Sequence, residues 1–277
     1  MAVPSRLYKY EPWSTRAIQN LKSQVIYFGS PLNFNDPYDC AITPHIVSPD
    51  DAEVDRVRRY YMADERPGPS GQAQLATMAP EVLREMLIEA ARDAFRSNIE
   101  EFLATKGVAC FSEENDNLLM WSHYGGRYRG FCLEFDTSDP AFEKVRQVRY
   151  SASLPTVHVS SMLVEKNFDP VADLYATKAA PWAYEREWRA IHAKAGTEYC
   201  YDSKSLTGVY FGPDMDIESI EIICLIMSGQ NEQVKFWKGH RSETEFRVNF
   251  EEFTYTSFLE AKNSGLKQSA QIYLHRD

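Results

Sequence analysis

Apolar and polar side chains alternate in several short stretches of this chain, and such a period of two is typical of β-strands. In residues 130–136, for example, apolar side chains alternate with Cys132 and Glu134. Strands are predicted at residues 6–10, 25–28, 108–112, 130–136, 145–150, 188–192, 206–211 and 247–255.

Between residues 49 and 106 the pattern changes, and apolar side chains recur every three or four residues, as they do on one face of a helix. Pro80 suits the first turn of a helix, and Gly107 suits the position after its end. Residues 49–106 are therefore predicted to form a helical insertion or lobe. Shorter helices are predicted after a cap at Ser14 or Thr15, at residues 117–124 and at residues 214–227.

The order of these elements, with strands before and after a helical stretch, predicts an α+β fold whose core is a mixed or split antiparallel sheet. The chain has 277 residues, of which 44% are hydrophobic and 25% are charged. This is enough for one large domain with a buried core, and we expect residues 1–277 to form a single domain.

Charge and cysteine content narrow the range of functions. The formal net charge of -10 argues against a broad attraction to nucleic acid, whose phosphates favour basic surfaces. The five cysteines are an odd number without a CxxC pair, which favours reduced core residues in a cytoplasmic protein. The sequence contains neither a signal peptide nor an apolar stretch of about 18 residues, so we expect no membrane partner.

Three segments carry candidate chemistry, and the first is the loop Asn35-Asp36-Pro37-Tyr38-Asp39. Proline stiffens this loop, and its amide and two carboxylates are suited to bind a ribose, a metal ion or the loop's own backbone through Asx turns. Asn35, Asp36 and Asp39 are therefore candidate ligand-binding residues.

The second segment joins Ser112, at the end of a predicted strand, to the predicted helix at residues 117–124. Trp121 and Tyr124 are three residues apart on that helix and present their aromatic rings together. His123 lies between them in the sequence and is a candidate catalytic residue. The alternative is that His123 is a structural residue satisfied by its neighbours.

The third segment is Trp182-Ala183-Tyr184-Glu185-Arg186-Glu187-Trp188-Arg189. If this segment is a strand, Glu185, Glu187 and Arg189 fall on one face. The two carboxylates repel each other unless Arg189 or a ligand compensates for their charge. This arrangement favours a ligand-binding cleft, with a salt-bridged and solvated strand face as the alternative.

Several well-known catalytic motifs are missing from the sequence. It contains no GxxxxGK[ST], no strand-linked GxGxxG, no HExxH, no GxSxG and no Cys/His spacing typical of metal sites. This argues against Walker-type nucleotide hydrolysis, Rossmann cofactor use, zinc proteolysis and α/β-hydrolase chemistry, and we expect no metal cofactor.

Five motifs, in this order, resemble a widespread bacterial family of unknown function. They are LYKY at residues 7–10, GSPLNFNDPYD at residues 29–39, CFSEENDNLLMWSHY at residues 110–124, GFCLEFD at residues 130–136 and WAYEREWR at residues 182–189. The resemblance extends from the start of the chain to about residue 191 and joins the three candidate segments into one set.

More distantly, the motifs resemble the ADP-ribosyltransferase fold, in which three strands grip NAD. By this resemblance Tyr8, Lys9 or Tyr10 belongs to the first strand motif, Phe111-Ser112 to the second, and Glu185-Arg186-Glu187 to the third. The chain departs from the pattern because it lacks a clear arginine or histidine in the first strand and a full Ser-Thr-Ser in the second.

The resemblance implies that NAD is a substrate and that Glu187 faces the positive charge that develops on the ribose as the nicotinamide-ribose bond breaks. Glu185 would orient or deprotonate an acceptor, Ser112 would support Glu187, and Trp121 or Tyr124 would stack on the nicotinamide or a base. The predicted catalytic residues are Glu187, Glu185, Ser112 and His123, and the predicted ligand-binding residues are Tyr8, Lys9, Tyr10, Asn35, Asp36, Asp39, Trp121, Tyr124 and Arg189.

Three hypotheses for the function follow. The leading one is an ADP-ribosyltransferase-like enzyme or another NAD-consuming effector in bacterial stress, toxin activity or phage defence, with a protein or nucleic-acid acceptor. The second is a sensor that binds a nucleotide or nucleobase without turnover and signals to a partner protein. The third is a metal-dependent nuclease or phosphoesterase that holds magnesium with Asp36, Asp39, Glu185 and Glu187.

Overall fold

The computed structural model describes residues 2–64 and 68–263 of the chain. Its strands are β1 (Arg6–Glu11), β2 (Val25–Phe28), β3 (His45–Val47), β4 (Gly107–Ser112), β5 (Phe131–Asp136), β6 (Arg146–Gln147), β7 (Arg149–Ser151), β8 (Thr156–His158), β9 (Thr177–Ala179), β10 (Glu187–His192), β11 (Thr197–Cys200), β12 (Leu206–Phe211), β13 (Lys235–Arg241) and β14 (Val248–Phe253). Its α-helices are α1 (Thr15–Ser23), α2 (Asp51–Met62), α3 (Gly68–Thr77), α4 (Pro80–Thr105), α5 (Leu118–His123), α6 (Val159–Leu163), α7 (Asp169–Leu174), α8 (Ile217–Ser228) and α9 (Phe258–Asn263). Among the described residues, no helix is both long and apolar enough to cross a membrane.

The described residues form two compact units. The first contains residues 2–29, 107–148 and 181–263, and the second contains residues 30–64, 68–106 and 149–180. The predicted helical insertion therefore lies in the second unit, together with chain segments on either side of it, and its residues 65–67 lie outside the described residues. That residues 1–277 behave as a single domain stays a prediction.

The first unit is built on an eight-stranded sheet with the strand order β14-β13-β12-β5-β1-β4-β10-β6. Its neighbouring strands are antiparallel, except for the parallel pair β12 and β13. The predicted α+β class with a mixed, largely antiparallel sheet is thereby confirmed.

The two faces of this sheet differ in chemistry. One face forms the main hydrophobic core, in which Leu7, Phe111 and Phe135 pack with side chains of α1 and α8 such as Leu21 and Ile223. The opposite face carries a smaller aromatic cluster, to which α5 contributes, and most of the polar site residues. Successive side chains of a strand alternate between the faces, so one set of strands supplies both the core and the site.

The second unit is mainly helical. Val54 and Val57 of α2 pack against Leu83 and Leu87 of α4 and against Val159 of α6. A capping box begins α2, in which Asp50 accepts from the Glu53 backbone and Glu53 accepts from the Asp50 backbone. Two short parallel strand pairs, β3 with β8 and β7 with β9, complete this unit.

One long predicted strand is wrong. Residues 145–150 form two separate short strands: β6 pairs with β10 in the first unit, and β7 pairs with β9 in the second. Val148 lies between them and donates its backbone N–H to the Glu187 carbonyl at 2.9 Å. The charged, loosely alternating sequence of this stretch fits two short pairings as well as one long one.

A pair of backbone hydrogen bonds marks the point at which the chain leaves and re-enters the first unit. Gly29 N–H donates to the Val108 carbonyl at 3.1 Å, and Val108 N–H donates to the Gly29 carbonyl at 2.8 Å. The two ends of the segment between them are thus held side by side.

Candidate functional site

Three predicted site residues lie in one row across the sheet of the first unit. Tyr8 on β1 is the direct partner of Ser112 on β4, and Ser112 is the direct partner of Glu187 on β10. Direct partners in antiparallel strands place their side chains on the same face. The sheet therefore brings Tyr8, Ser112 and Glu187 together, which the order of the sequence motifs alone does not require.

The Ser112 side chain binds backbone groups of two neighbouring segments. Its side chain is fully buried, and its Oγ donates to the backbone carbonyl of Glu185 at 2.7 Å and accepts from Glu114 N–H at 3.2 Å. Ser112 was expected to support Glu187, and its hydrogen bond holds the chain two residues before Glu187. Its support of Glu187 is therefore exerted through the backbone.

Glu187 and Arg189 form a buried ion pair on β10. Arg189 Nε lies 2.6 Å from one carboxylate oxygen of Glu187, and Arg189 Nη2 lies 2.8 Å from the other. The guanidinium is 0% exposed and Glu187 is 4% exposed. A two-point contact of this kind fixes the orientation of the carboxylate. It also compensates the carboxylate charge at a position that is buried from water.

The expectation that Glu185 shares a strand face with Glu187 and Arg189 is wrong. Glu185 ends a 3-10 helix over Ala180–Glu185, and β10 begins only at Glu187. Arg186 between them has a left-handed backbone with φ of 43°, which breaks the strand alternation. Glu185 is nevertheless buried in the first unit, where Tyr124 Oη donates to its carboxylate at 2.6 Å.

The short helix α5 begins after an Asn117 cap. The Asn117 side-chain oxygen accepts from Leu119 N–H at 3.0 Å and from Met120 N–H at 3.3 Å. The Asn117 amide also donates to the Tyr184 carbonyl at 3.3 Å. This one side chain thus connects α5 to the segment that carries Glu185.

The rings of Trp121 and Tyr10 pack against each other. Trp121 is 0% exposed, its ring lies 5.2 Å from that of Tyr10, and its Nε1 donates to the Asn115 carbonyl at 2.7 Å. Tyr10 Oη donates to the Glu114 carbonyl at 2.9 Å. Because Trp121 is enclosed, its predicted stacking on a ligand does not fit this position; together the two rings hold residues 114–117.

A group of partly exposed aromatic side chains borders Glu185, and we call it the aromatic rim: His123, Tyr124, Trp182 and Tyr184. The His123 ring lies 6.3 Å from Trp182 and 6.0 Å from Tyr184, and its Nδ1 is 2.9 Å from Tyr184 Oη. The ring centres of Trp182 and Tyr184 are 6.0 Å apart. His123 is exposed and Tyr184 is half-buried, so the rim is suited to stack on a planar ligand.

Lys9 lies on the face of the sheet opposite to this site. It follows Tyr8 in β1, its Nζ lies 5.8 Å from the centre of the Phe111 ring, and it pairs with Glu11 at 3.4 Å. Phe111 belongs to the main hydrophobic core. The predicted ligand contact of Lys9 therefore does not fit its position, whereas Tyr8 faces the site.

Glu134 on β5 is a buried carboxylate that was not among the predicted site residues. It is 3% exposed, and its carboxylate accepts from Thr207 Oγ1 at 2.7 Å and from Tyr210 Oη at 2.7 Å. The guanidinium of Arg6 lies 3.0 Å away. The signal was present, because a glutamate within an otherwise apolar strand requires buried partners.

The three predicted residues of the proline loop lie in the second unit. Asp36 accepts from Tyr38 N–H at 2.9 Å, which is the Asx turn named as an alternative role. Asp39 forms a buried ion pair with Lys178 at 3.2 Å, and Asn35 is exposed. Within residues 2–64 and 68–263, no group of three or more His, Cys, Asp or Glu side chains is arranged to hold a metal ion.

The fold and the site define an α+β protein in which two buried carboxylates, Glu134 and Glu187, lie on one face of a largely antiparallel sheet. Residues 120–190 match the model of a family described as "Protein of unknown function (DUF2971)". No curated protein and no solved structure matches the chain. The match agrees with the predicted resemblance to a family of unknown function; the resemblance to the ADP-ribosyltransferase fold stays a prediction.

Proposed function

We propose that this chain binds NAD and breaks its nicotinamide-ribose bond, transferring ADP-ribose to water or to a macromolecular acceptor. The observation that supports the proposal is the row of Tyr8, Ser112 and Glu187 on three adjacent strands, because these residues come from the three motifs that the resemblance assigns to NAD. A ribose requires fixed hydrogen-bonding groups, and a planar nicotinamide requires an aromatic surface. The row and the aromatic rim offer both.

The chemistry assigns separate roles to the two carboxylates. Bond breakage leaves positive charge on the ribose, and a carboxylate already held in place stabilises that charge without reorganising. Arg189 holds Glu187 in this way from both oxygens, and Tyr124 holds Glu185 from one. Glu187 then faces the ribose, and Glu185 orients the acceptor.

The test compares the wild type with Glu187→Gln and Glu185→Gln, with Glu198→Gln on the exposed strand β11 as the matched control. Each protein is incubated with NAD labelled in the adenosine and with a cell extract. We expect the wild type and Glu198→Gln to release nicotinamide, and both site variants to lose at least about tenfold in rate. Label on macromolecules identifies a transferase, and free ADP-ribose identifies a glycohydrolase.

Folding is checked separately, because Glu187→Gln leaves Arg189 buried beside a neutral partner. Circular dichroism and thermal melting of each variant show whether a lost activity reflects a lost fold. A folded wild type that releases no nicotinamide, with or without extract, contradicts the proposed reaction.

A second candidate function is a sensor that binds a nucleotide without turnover. It is favoured by one observation, that both oxygens of Glu187 are already engaged by Arg189. A carboxylate held in this way has a fixed position and can contribute to ligand binding without taking part in a reaction. Calorimetry measures NAD binding, and the assay above measures nicotinamide release. A sensor binds NAD but releases no nicotinamide, whereas the enzyme does both.

Magnesium-dependent hydrolysis receives less support from the described contacts. Two of its four expected ligands, Asp39 and Glu187, are buried against the cations Lys178 and Arg189. A metal ion would have to displace these cations before it could bind.

A further inference from the structure

The polar row that contains Ser112 and Glu187 does not end at Tyr8. On the other side of β1, Tyr8 is the direct partner of Glu134 on β5, and Glu134 is the partner of Gly208 on β12. Direct partners share a face. The same face therefore carries a carboxylate at each end of the row, with Tyr8 and Ser112 between them.

The backbone near Glu134 departs from regular pairing. The register of β12 against β5 shifts between Leu206 and Gly208, so that Thr207 is an extra residue. Such a bulge re-aims a side chain, and bulges are frequent beside functional sites. The Thr207 hydroxyl reaches the Glu134 carboxylate from this position.

Gly208 leaves room for the aromatic side chains around Glu134. A Cβ at this position would lie 3.2 Å from the Tyr210 ring and 3.5 Å from the Glu134 Cβ. Tyr210 stacks on Trp237 with ring centres 5.5 Å apart and meets Tyr8 edge to face at 6.0 Å. Glu134 is thus surrounded by side chains that fix its position.

Tyr8 and Tyr210 both stay protonated at neutral pH, because the pKa of each hydroxyl is raised. Burial raises the pKa of each hydroxyl, and the Glu134 carboxylate raises both further. Tyr210 is the deeper of the two and donates to Glu134. Tyr8 is half-buried and lies between Glu134 and Ser112 in the row.

We propose that Glu134 is a positioning residue that fixes the Tyr8 hydroxyl on the face of Ser112 and Glu187, so that the NAD site extends to β5. The role of Tyr8 toward NAD rests on the proposed function; the control of Tyr8 by Glu134 does not. In this arrangement Tyr8 presents its hydroxyl to a polar part of the ligand, and Glu134 acts only through Tyr8.

The experiment uses the whole chain in five forms: wild type, Glu134→Gln, Tyr8→Phe, the double variant, and Tyr210→Phe. Tyr210→Phe is the matched control, because it removes the same group as Tyr8→Phe from a residue that also contacts Glu134. The first measurement is the NMR spectrum of ¹³Cζ-labelled tyrosines, in which the Tyr8 signal is the one lost in Tyr8→Phe. The second is the kinetics of nicotinamide release, which give kcat and KM. Thermal melting confirms that each form is folded.

We expect Glu134→Gln to move the Tyr8 signal and to lower kcat about 10-fold to 100-fold, as a misplaced contact does. Tyr8→Phe lowers kcat equally, and the double variant is no worse than either. Tyr210→Phe stays within about threefold of the wild type, because Arg6 and Thr207 still hold the Glu134 carboxylate. An unmoved Tyr8 signal in folded Glu134→Gln overturns the proposal. Equal losses in Tyr8→Phe and Tyr210→Phe also overturn it, because they indicate a structural network alone.

The failure of the proposed function has a different signature. A wild type that releases no nicotinamide refutes NAD cleavage, and the Tyr8 signal then decides by itself whether Glu134 positions Tyr8. A signal that moves in Glu134→Gln supports the positioning role, and one that does not move overturns it.

Discussion

At the scale of single residues, the buried pair of Glu187 and Arg189 is the most demanding feature of the site. The charge of each residue compensates that of the other in the interior, at the start of β10. Removal of one partner of such a pair leaves an uncompensated charge, whereas removal of both leaves none.

This asymmetry gives a prediction for stability. Arg189→Met should lower the free energy of unfolding by about 3–5 kcal/mol, because it removes the guanidinium that compensates the buried Glu187 carboxylate. Arg189→Met combined with Glu187→Gln should be more stable than Arg189→Met alone. Urea unfolding of the wild type, both single variants and the double variant measures the coupling; effects that simply add would contradict the described pair.

Sequence patterns identified these residue types but not their contacts. The spacing of Glu187 and Arg189 predicted a shared strand face, and this is confirmed. Glu185 was placed in the same strand because local spacing does not reveal the left-handed backbone at Arg186. Glu134 was overlooked because its donors, Arg6, Thr207 and Tyr210, are distant in the sequence and meet it only across the sheet.

At the scale of elements, α5 is short and depends on its cap. A helix of this length gains little from its own hydrogen bonds, so its stability comes from Asn117 and from the packing of Trp121. The same helix carries His123 and Tyr124 of the aromatic rim. A loss of order in α5 would therefore break the hydrogen bond from Tyr124 to the Glu185 carboxylate.

Two substitutions at Asn117 separate its two contacts. Asn117→Asp keeps an oxygen for the cap but loses the amide that donates to the Tyr184 carbonyl, while Asn117→Ala loses both. We expect Ala to cost about 1 kcal/mol in the free energy of unfolding and Asp to cost less. Denaturant titration measures both; equal costs would show that the cap contributes nothing and that only the contact with Tyr184 matters.

Strong local signals allowed most elements of the first unit to be predicted. The strands at residues 25–28 and 206–211 have the predicted bounds, and Ser14 caps α1 as predicted. β13 was not predicted, because its sequence KFWKGHR mixes charged residues with a central glycine and has no regular period. The pairing of β12 with β13 and the order of the strands depend on distant contacts, which no local pattern contains.

At the scale of the whole molecule, the chain is divided between two units, each with its own hydrophobic core. Both units are assembled from segments that are separated in sequence, so neither corresponds to one continuous stretch. Periodicity located the helical stretch within residues 49–106, but it did not reveal α6 and α7 or that residues 149–180 belong to the same unit. Composition alone therefore suggested a single domain with an insertion.

Two separate cores give a prediction for unfolding. We expect backbone amides of α2 and α4 to exchange with one common free energy of opening, and those of β1, β4 and β5 with another. Hydrogen exchange followed by mass spectrometry at increasing urea concentrations measures both. A single opening free energy shared by all these elements would contradict the prediction and would favour one cooperative domain.

The hydrogen-bonded pair of Gly29 and Val108 has a consequence for how this chain can change over evolutionary time. These two residues hold the ends of the intervening segment together, so a longer segment adds to the entropy of closing a loop by about 0.6 kcal/mol for each doubling of its length. Insertions and deletions between them should accumulate with little selection from the sheet. Homologues are therefore expected to differ in length mainly between these two positions, while the spacing between the strands of the row stays nearly constant.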